Sequence, residues 1–198
     1  MSKLIVFEGI DGAGKTTVSR KIVEILSSKG FKTFYTREPS DSPFAQLLND
    51  LKTKIDTGPI IDALAMSLDR AFHMMNEVEP RLAEGYVVVM DRYYHSTIAY
   101  QGAMGADIKW IRDINRVFRR PDIAFYLDVS VETAMRRIRD KKSRWPFYEF
   151  KDFLSKVRDI YLKLVEENEL IYVDAERDLN DVINQVIKIL REKTYLNI

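Results

Sequence analysis

No cysteine occurs in the 198 residues, which excludes disulfides, thiolate metal sites and a thiol nucleophile and is compatible with a reducing compartment. Charge of one sign is not in excess either, with 31 basic residues against 30 acidic ones and a formal net charge of +1. A chain so balanced is not built mainly to coat nucleic acid or an anionic membrane, and any anion site in it has to be assembled locally. Long uncharged runs are missing, so no segment spans a bilayer, and the apolar part of the opening MSKLIVFEG is too short for a signal peptide. The expected location is therefore cytoplasmic. His73 and His95 are the only histidines, too few for a metal cluster, and both read as core or surface residues. Internal repeats, low-complexity tracts and Pro/Ser linkers are also absent. With 46% hydrophobic and 31% charged residues, the expectation is one compact domain over residues 1–198 with a sizeable core.

What is present alternates. Leu4 to Phe7, Phe31 to Tyr35, Val87 to Met90, Ile123 to Leu127 and Leu170 to Val173 are short apolar runs rich in β-branched and aromatic residues, the pattern of buried strands. Val18, Ile22, Ile25 and Leu26 share one helical face that ends near Lys29-Gly30, and Leu179, Val182, Ile183, Val186, Ile187 and Leu190 repeat the pattern after Asp178, a capping residue type. Strands separated by helices predict an α/β fold: a parallel five-stranded sheet with helices on both faces and ligands at the carboxyl ends of the strands.

Between the first strand and the first helix lies Gly9-Ile10-Asp11-Gly12-Ala13-Gly14-Lys15-Thr16-Thr17, which satisfies G-x-x-x-x-G-K-[ST] in the context that the motif needs. Glycines let backbone N–H groups close around phosphate oxygens, and the helix N-terminus adds partial positive charge. Lys15 reaches the β/γ-phosphates, and Thr16 is a ligand for Mg²⁺. The loop predicts a P-loop NTPase-type fold gripping a nucleoside triphosphate and leaves the reaction open. A guanine-reading N-K-x-D segment is missing, which weighs against a regulatory GTPase. Asp91-Arg92 ends the third strand at the ligand edge, where an acid organises the metal's surroundings and an arginine holds a phosphate oxygen pair. Arg37 ends the second strand at an equivalent edge. Arg70, judged by spacing alone, is a solvated or snorkelling helical arginine.

The runs YTREPS, MSLDRAFH, VVVMDRYYHSTIAYQG and RRIRDKKSRWPFYEF add to FEGIDGAGKTT a combination that resembles the thymidylate kinase family over nearly the whole chain. YEFKDFLSKVRDIYLKL is similar to the helix after that family's lid, and YVDAERDLNDV to its last strand and adenine-side loop. The resemblance implies transfer of the ATP γ-phosphate to dTMP with Mg²⁺, in a homodimer. It implies that Asp11 approaches the acceptor's sugar and phosphate and that Arg37 and Arg92 hold its phosphate. Arg70 would donate to a thymine carbonyl, Tyr100 would fill the space of a ribose 2′-hydroxyl, and Ser96, Thr97 and Gln101 would border the base. Where the family often stacks an aromatic ring on thymine, this chain has Met66, whose thioether can also lie on a base.

Gly12 matches the subtype that has no arginine in the phosphate loop and draws basic residues from a lid, here at about residues 136–148. The candidates are Arg136, Arg137, Arg139, Lys141, Lys142 and Arg144. Arg144 beside Trp145-Pro146 is the first choice for the transfer step and Arg137 the second, the remainder being a solvated charge run. Tyr93 and Tyr94 are expected beneath the acceptor site, and Phe147, Tyr148, Phe150 and Phe153 to dock the helix after the lid. Two alternatives keep the loop and change the partner: a kinase for another pyrimidine monophosphate or for a deoxynucleoside, and a P-loop switch that binds a protein.

Overall fold

A computed structural model describes residues 2–139 and 151–194. The strands are β1 (Lys3–Glu8), β2 (Thr33–Arg37), β3 (Val87–Asp91), β4 (Ile123–Asp128) and β5 (Ile171–Asp174). All pair in parallel, in the order β2-β3-β1-β4-β5. Every residue of β3 and β4 is buried, so both faces of the central sheet are covered, as parallel strands require. The covering helices are α1 (Lys15–Ser28), α2 (Pro43–Lys52), α3 (Gly58–His73), α4 (Glu79–Ala83), α5 (Tyr94–Ala103), α6 (Ile108–Asn115), α7 (Val131–Arg139), α8 (Lys151–Glu166) and α9 (Leu179–Thr194). A π-helical turn, Met74–Val78, joins α3 to α4. Pro80 explains the wider turn, because in an unbroken α-helix its ring would meet the Asn76 carbonyl. Among the described residues no helix is long and apolar enough to cross a membrane.

The five strands fall on the apolar runs to within a residue at each end, with one larger shift. The second begins at Thr33 rather than Phe31. Helix α1 ends with Gly30 at φ 86° donating to the Ser27 carbonyl, and the Phe31 N–H donates to that of Leu26. This is a Schellman closure, and it occupies Phe31 before a strand can start.

Sheet register brings the chemistry to one end. Arg37 aligns with Asp91, and Asp91 with Phe7. The following residues therefore arrive together: the Glu38 N–H donates to the Asp91 carbonyl at 3.0 Å, and the Arg92 N–H to that of Phe7 at 2.9 Å. Glu8, Glu38 and Arg92 thus leave three adjacent strands at one edge.

Candidate active site

The phosphate loop is confined from two sides. A Cβ on Gly9, at φ 149°, would lie 2.7 Å from the Leu127 carbonyl oxygen, and one on Gly12, at φ 83°, would lie 2.5 Å from that of Ala134 in α7. No side chain fits at position 12 with α7 in this place. Beside that glycine, Arg137 of α7 donates from Nη1 to the Gly12 carbonyl and from Nη2 to the Ala175 carbonyl, each at 3.3 Å. It ties the loop to the segment after β5. Arg144, Lys141 and Lys142 lie outside the described residues, as do Trp145, Phe147, Tyr148 and Phe150 and the Arg139 side chain; Arg136 is exposed. Phe153 is half-buried against the core and meets Tyr100 edge-on at 6.1 Å.

Within the loop, Lys15 Nζ donates to the carbonyls of Gly9 at 3.0 Å and Ile10 at 2.9 Å. Burial first, and then the charge of Arg92, lower its pKa from 10.5 to about 8. Thr16 Oγ1 donates to Asp91 Oδ2 at 2.5 Å. Asp91 Oδ1 is buried and has no hydrogen-bond partner among the described residues, so one hard oxygen stands ready beside a hydroxyl. That pair suits Mg²⁺, which takes one or two protein oxygens and completes its octahedron with water and phosphate. No group of three or more His, Asp or Glu residues that could hold a metal occurs among the described residues.

Arg92 follows at φ 70°, a left-handed conformation that costs a residue with a Cβ about 1–2 kcal/mol. Its side chain supplies the compensating contacts. Nη2 pairs with Asp11 Oδ1 and donates to the Tyr100 hydroxyl at 3.2 Å, while Nη1 donates to Ser96 Oγ at 3.1 Å and the Gly9 carbonyl at 3.3 Å. The Asp11 N–H donates to the same Tyr100 hydroxyl at 3.1 Å. Burial would raise the Asp11 carboxyl, but Arg92 and then Lys15 outweigh it and hold it below the ordinary value. Behind Arg92, Glu8 has no exposure and accepts from the Tyr93 N–H at 2.7 Å, Ser96 Oγ at 2.6 Å and the Tyr161 hydroxyl at 2.9 Å.

Arg70, which spacing alone makes a solvated residue, is 1% exposed. Its Nη2 lies 2.7 Å from Glu38 Oε2 and donates to Thr97 Oγ1 at 3.1 Å, and its Nη1 donates to Asn115 Oδ1 at 2.5 Å. The resemblance, not the helical pattern, points inward. Asp11, Arg92, Ser96 and Tyr100 line one end of a cavity whose walls continue with Met66, Arg70, Thr97 and Gln101. Arg37 does not line it; at the end of β2 it is exposed, 3.6 Å from Asp41. Tyr93 is fully buried in the cavity wall, whereas Tyr94 is half-buried against His95. Both histidines are core residues beside carboxylates: His73 Nδ1 stands 3.5 Å from Glu38, and His95 Nδ1 stands 3.7 Å from Glu8.

Sequence reasoning missed Glu8, Glu38, Lys52 and Asp62, the last three of which also line the cavity. A signal existed for one of them, since Asp62, Met66 and Arg70 recur at every fourth position of a helix and so share a face.

The depressed pKa of Lys15 has a thermodynamic consequence. Between about 8 and 10.5 the unfolded chain binds more protons at this position than the folded one, so the group's contribution to stability rises with pH through that window. Lys15→Met removes that slope. The stability difference, variant minus wild type, should fall as pH rises from neutral to the top of the window, as measured by urea unfolding; a constant difference would mean that burial does not depress this lysine.

Against known proteins, residues 7–186 match the model of the thymidylate kinase family. Curated relatives include the probable thymidylate kinases of Staphylothermus marinus, 41% identical over 95% of this chain and 94% of that protein, and of Sulfurisphaera tokodaii, 40% identical over 96% of each. The one from Thermococcus kodakarensis is 39% identical over 94% of this chain and 96% of its own length. The phosphate-loop motif, Asp91 beside Thr16 and the cavity next to them thus occur in a sequence matched nearly end to end, and the chain belongs to the thymidylate kinase family.

Proposed function

We propose that this protein transfers the γ-phosphoryl group of ATP to dTMP, giving dTDP and ADP. The observation that carries the reading is the single cavity joining the Arg92–Asp11–Tyr100 cluster to Arg70, Met66, Thr97 and Gln101 at the edge of the phosphate loop. Its two arginines suit the two ends of one acceptor, a phosphate at Arg92 and a base carbonyl at Arg70. Arg37, exposed beyond the cavity, is the candidate for a second contact to the acceptor phosphate. Tyr100 packs where a deoxyribose would lie.

In-line attack of an acceptor phosphate oxygen on the γ-phosphorus needs little covalent help from the protein, which positions two anions and offsets charge. The loop N–H groups and Lys15 bind the donor phosphates, and Lys15 exchanges its two carbonyl contacts for phosphate oxygens. Thr16 and Asp91 would hold Mg²⁺. The ion, when bound, neutralises charge on the donor's phosphates and orients them. Arg92 fixes the acceptor phosphate in line while Asp11 holds the guanidinium. Gly12 leaves Lys15 as the loop's side-chain cation, with no arginine beside it, so a lid arginine supplies the second. Arg137 already touches the loop, and Arg144 is the alternative from the segment that follows.

The face of α3 turned away from the cavity bears Ile60, Ile61, Leu64, Leu68 and Phe72, all exposed, and Met75 of the following π-helical turn is exposed as well. A stripe of this kind along one helix fits an isologous contact with a second copy, and we take the protein to act as a homodimer. ATP and a nucleoside monophosphate are abundant in the cytoplasm, and we take that to be the compartment.

Three outcomes test this reading. With ATP and Mg²⁺, dTMP is the best acceptor and dUMP a poorer one by about 10–200-fold in kcat/KM at most, the range that one methyl in an apolar pocket supports; comparable turnover of CMP or AMP would sink the assignment. Arg137→Ala lowers kcat by more than about tenfold, within the effect of supplied arginines, with a smaller change in the KM for ATP. Arg137→Lys recovers part of the loss, because a point charge lacks the bidentate fork. A kcat within about a factor of two of wild type would remove Arg137 from the transfer step and leave Arg144. Finally, sedimentation should give a dimer for the wild type and a monomer for Leu68→Glu; a monomeric wild type refutes the assembly.

A further inference from the structure

Asp91 Oδ1 is not the only buried polar atom beside the phosphate loop without a hydrogen-bond partner among the described residues. The Tyr35 hydroxyl is another, buried at the tip of a residue that is otherwise half-buried. An unpaired hydroxyl out of water is unfavourable, and phenylalanine would fill the same space without that cost. Sheet register tells what the hydroxyl faces. Arg37 of β2 pairs with Asp91 of β3, and Tyr35 with Val89, so Tyr35 and Asp91 share a face of the sheet, two positions apart along the strands. Helix α1 packs on both strands. From it Thr16 and Arg20, four residues apart and so on one side of the helix, reach the same place: Thr16 Oγ1 donates to Asp91 Oδ2, and the Arg20 guanidinium lies over the Tyr35 ring, 5.2 Å from its centre. Burial and then the Asp91 charge raise the pKa of the phenol, while Arg20 and Thr16 lower it, which makes those three residues its polar neighbours.

We propose that Tyr35 is an outer partner of the metal ion, its hydroxyl taking a hydrogen bond from a water that Mg²⁺ keeps when it is bound with nucleotide at Thr16 and Asp91. The proposal rests on the reading above of those two residues as the metal's protein ligands. An ion held by one or two protein oxygens retains several waters, and a water polarised by a cation is a strong donor in search of acceptors. Asp91 Oδ1 is spoken for by the ion. The phenol oxygen beside it is the remaining buried acceptor without a partner on this face of the sheet. A carboxylate in its place would hold the water more strongly but would repel the donor phosphates; a neutral hydroxyl orients the water without that repulsion. Groups of this kind fix the ligand shell of a metal without touching the metal. Tyr35 therefore acts as a positioning residue for the ion, and the phosphoryl transfer itself is unchanged.

The test is calorimetric titration with adenylyl imidodiphosphate, an ATP analogue that is not turned over, into the wild type and Tyr35→Phe, once with Mg²⁺ and once with EDTA. Phenylalanine keeps the ring under Arg20 and removes only the hydroxyl. The quantity read is the ratio of the Kd in EDTA to the Kd with Mg²⁺, which by linkage reports how much more tightly the site holds the ion than the free nucleotide does. It should fall about tenfold in Tyr35→Phe, the lower end of what loss of an outer partner costs in metal affinity. A fall of less than about threefold, well short of that range, overturns the proposal. The ratio is taken within each protein, so a general loss of nucleotide binding cancels. A variant that binds more weakly to the same degree with and without Mg²⁺ keeps its ratio and overturns the assignment too, since Tyr35 then supports the loop and not the ion. Wild-type transfer from ATP to dTMP that runs equally well in EDTA would instead sink the metal reading beneath it.

Discussion

A carboxylate without access to water organises this site. Glu8 ends the central strand, and a buried charge is tolerable only if its oxygens are satisfied by donors. Those donors come from three places: the backbone opening α5, the Ser96 hydroxyl one turn further along α5, and Tyr161 of α8. Burial would raise the Glu8 carboxyl, yet the His95 contact, the Ser96 hydroxyl and the charge of Arg92 hold it below its ordinary value. The strand that carries the phosphate loop, the helix that carries one wall of the cavity and the helix that follows the proposed lid are therefore fastened to one ion. Arg92 inherits the arrangement. Its left-handed backbone is set between β3 and α5, and its guanidinium touches the same Ser96 that Glu8 holds.

Four other buried or half-buried cations follow the same rule, each meeting a carboxylate from a different element. Arg70 of α3 meets Glu38 after β2, Arg92 meets Asp11 of the phosphate loop, Lys52 of α2 meets Asp62 of α3, and Arg158 of α8 meets Asp128 of β4 in a bidentate pair at 2.7 and 2.8 Å. Such pairs add little net stability compared with well-packed apolar residues, but breaking one strands the other charge. Their value is positional. A near-neutral chain can therefore present concentrated positive charge to a nucleotide, because the acids that balance the arginines also aim them.

Legibility from sequence divides along physical lines. The phosphate loop was readable because its requirements are local: glycine at positions such as Gly9 and Gly12, which no other side chain fits, and a lysine and threonine at the start of a helix. The central strands were readable because burial on both faces keeps charged residues out of their interiors. The inner location of Arg70 was not readable from its own helix, where an arginine reads as solvated or snorkelling. It is buried because Glu38, Asn115 and Thr97 converge on it from three other elements, and no periodicity encodes convergence. Lys52 and Asp62 were missed for the same reason, although the four-residue spacing of Asp62, Met66 and Arg70 held half of the answer. The Schellman closure at Gly30 was visible as a helix stop, but its demand on Phe31, which shortens β2, was not.

At position 12 one steric contact sets how closely α7 can approach the phosphate loop. A side chain there would strike the Ala134 carbonyl of α7, so an arginine inside the loop and this placement of α7 exclude one another. The same closeness lets Arg137, one turn beyond Ala134, reach the Gly12 carbonyl. With glycine in the loop, α7 can approach and deliver a guanidinium from outside; with a larger residue, the helix would have to withdraw and the cation would have to be the loop's own. The choice between the two subtypes is then a packing choice before it is a chemical one. Because Arg137 also holds the Ala175 carbonyl after β5, its position is coupled to the segment that the family resemblance assigns to the adenine side. Under the role proposed for Arg137, donor binding at one end of the nucleotide and charge supply at the other would be linked through a single side chain.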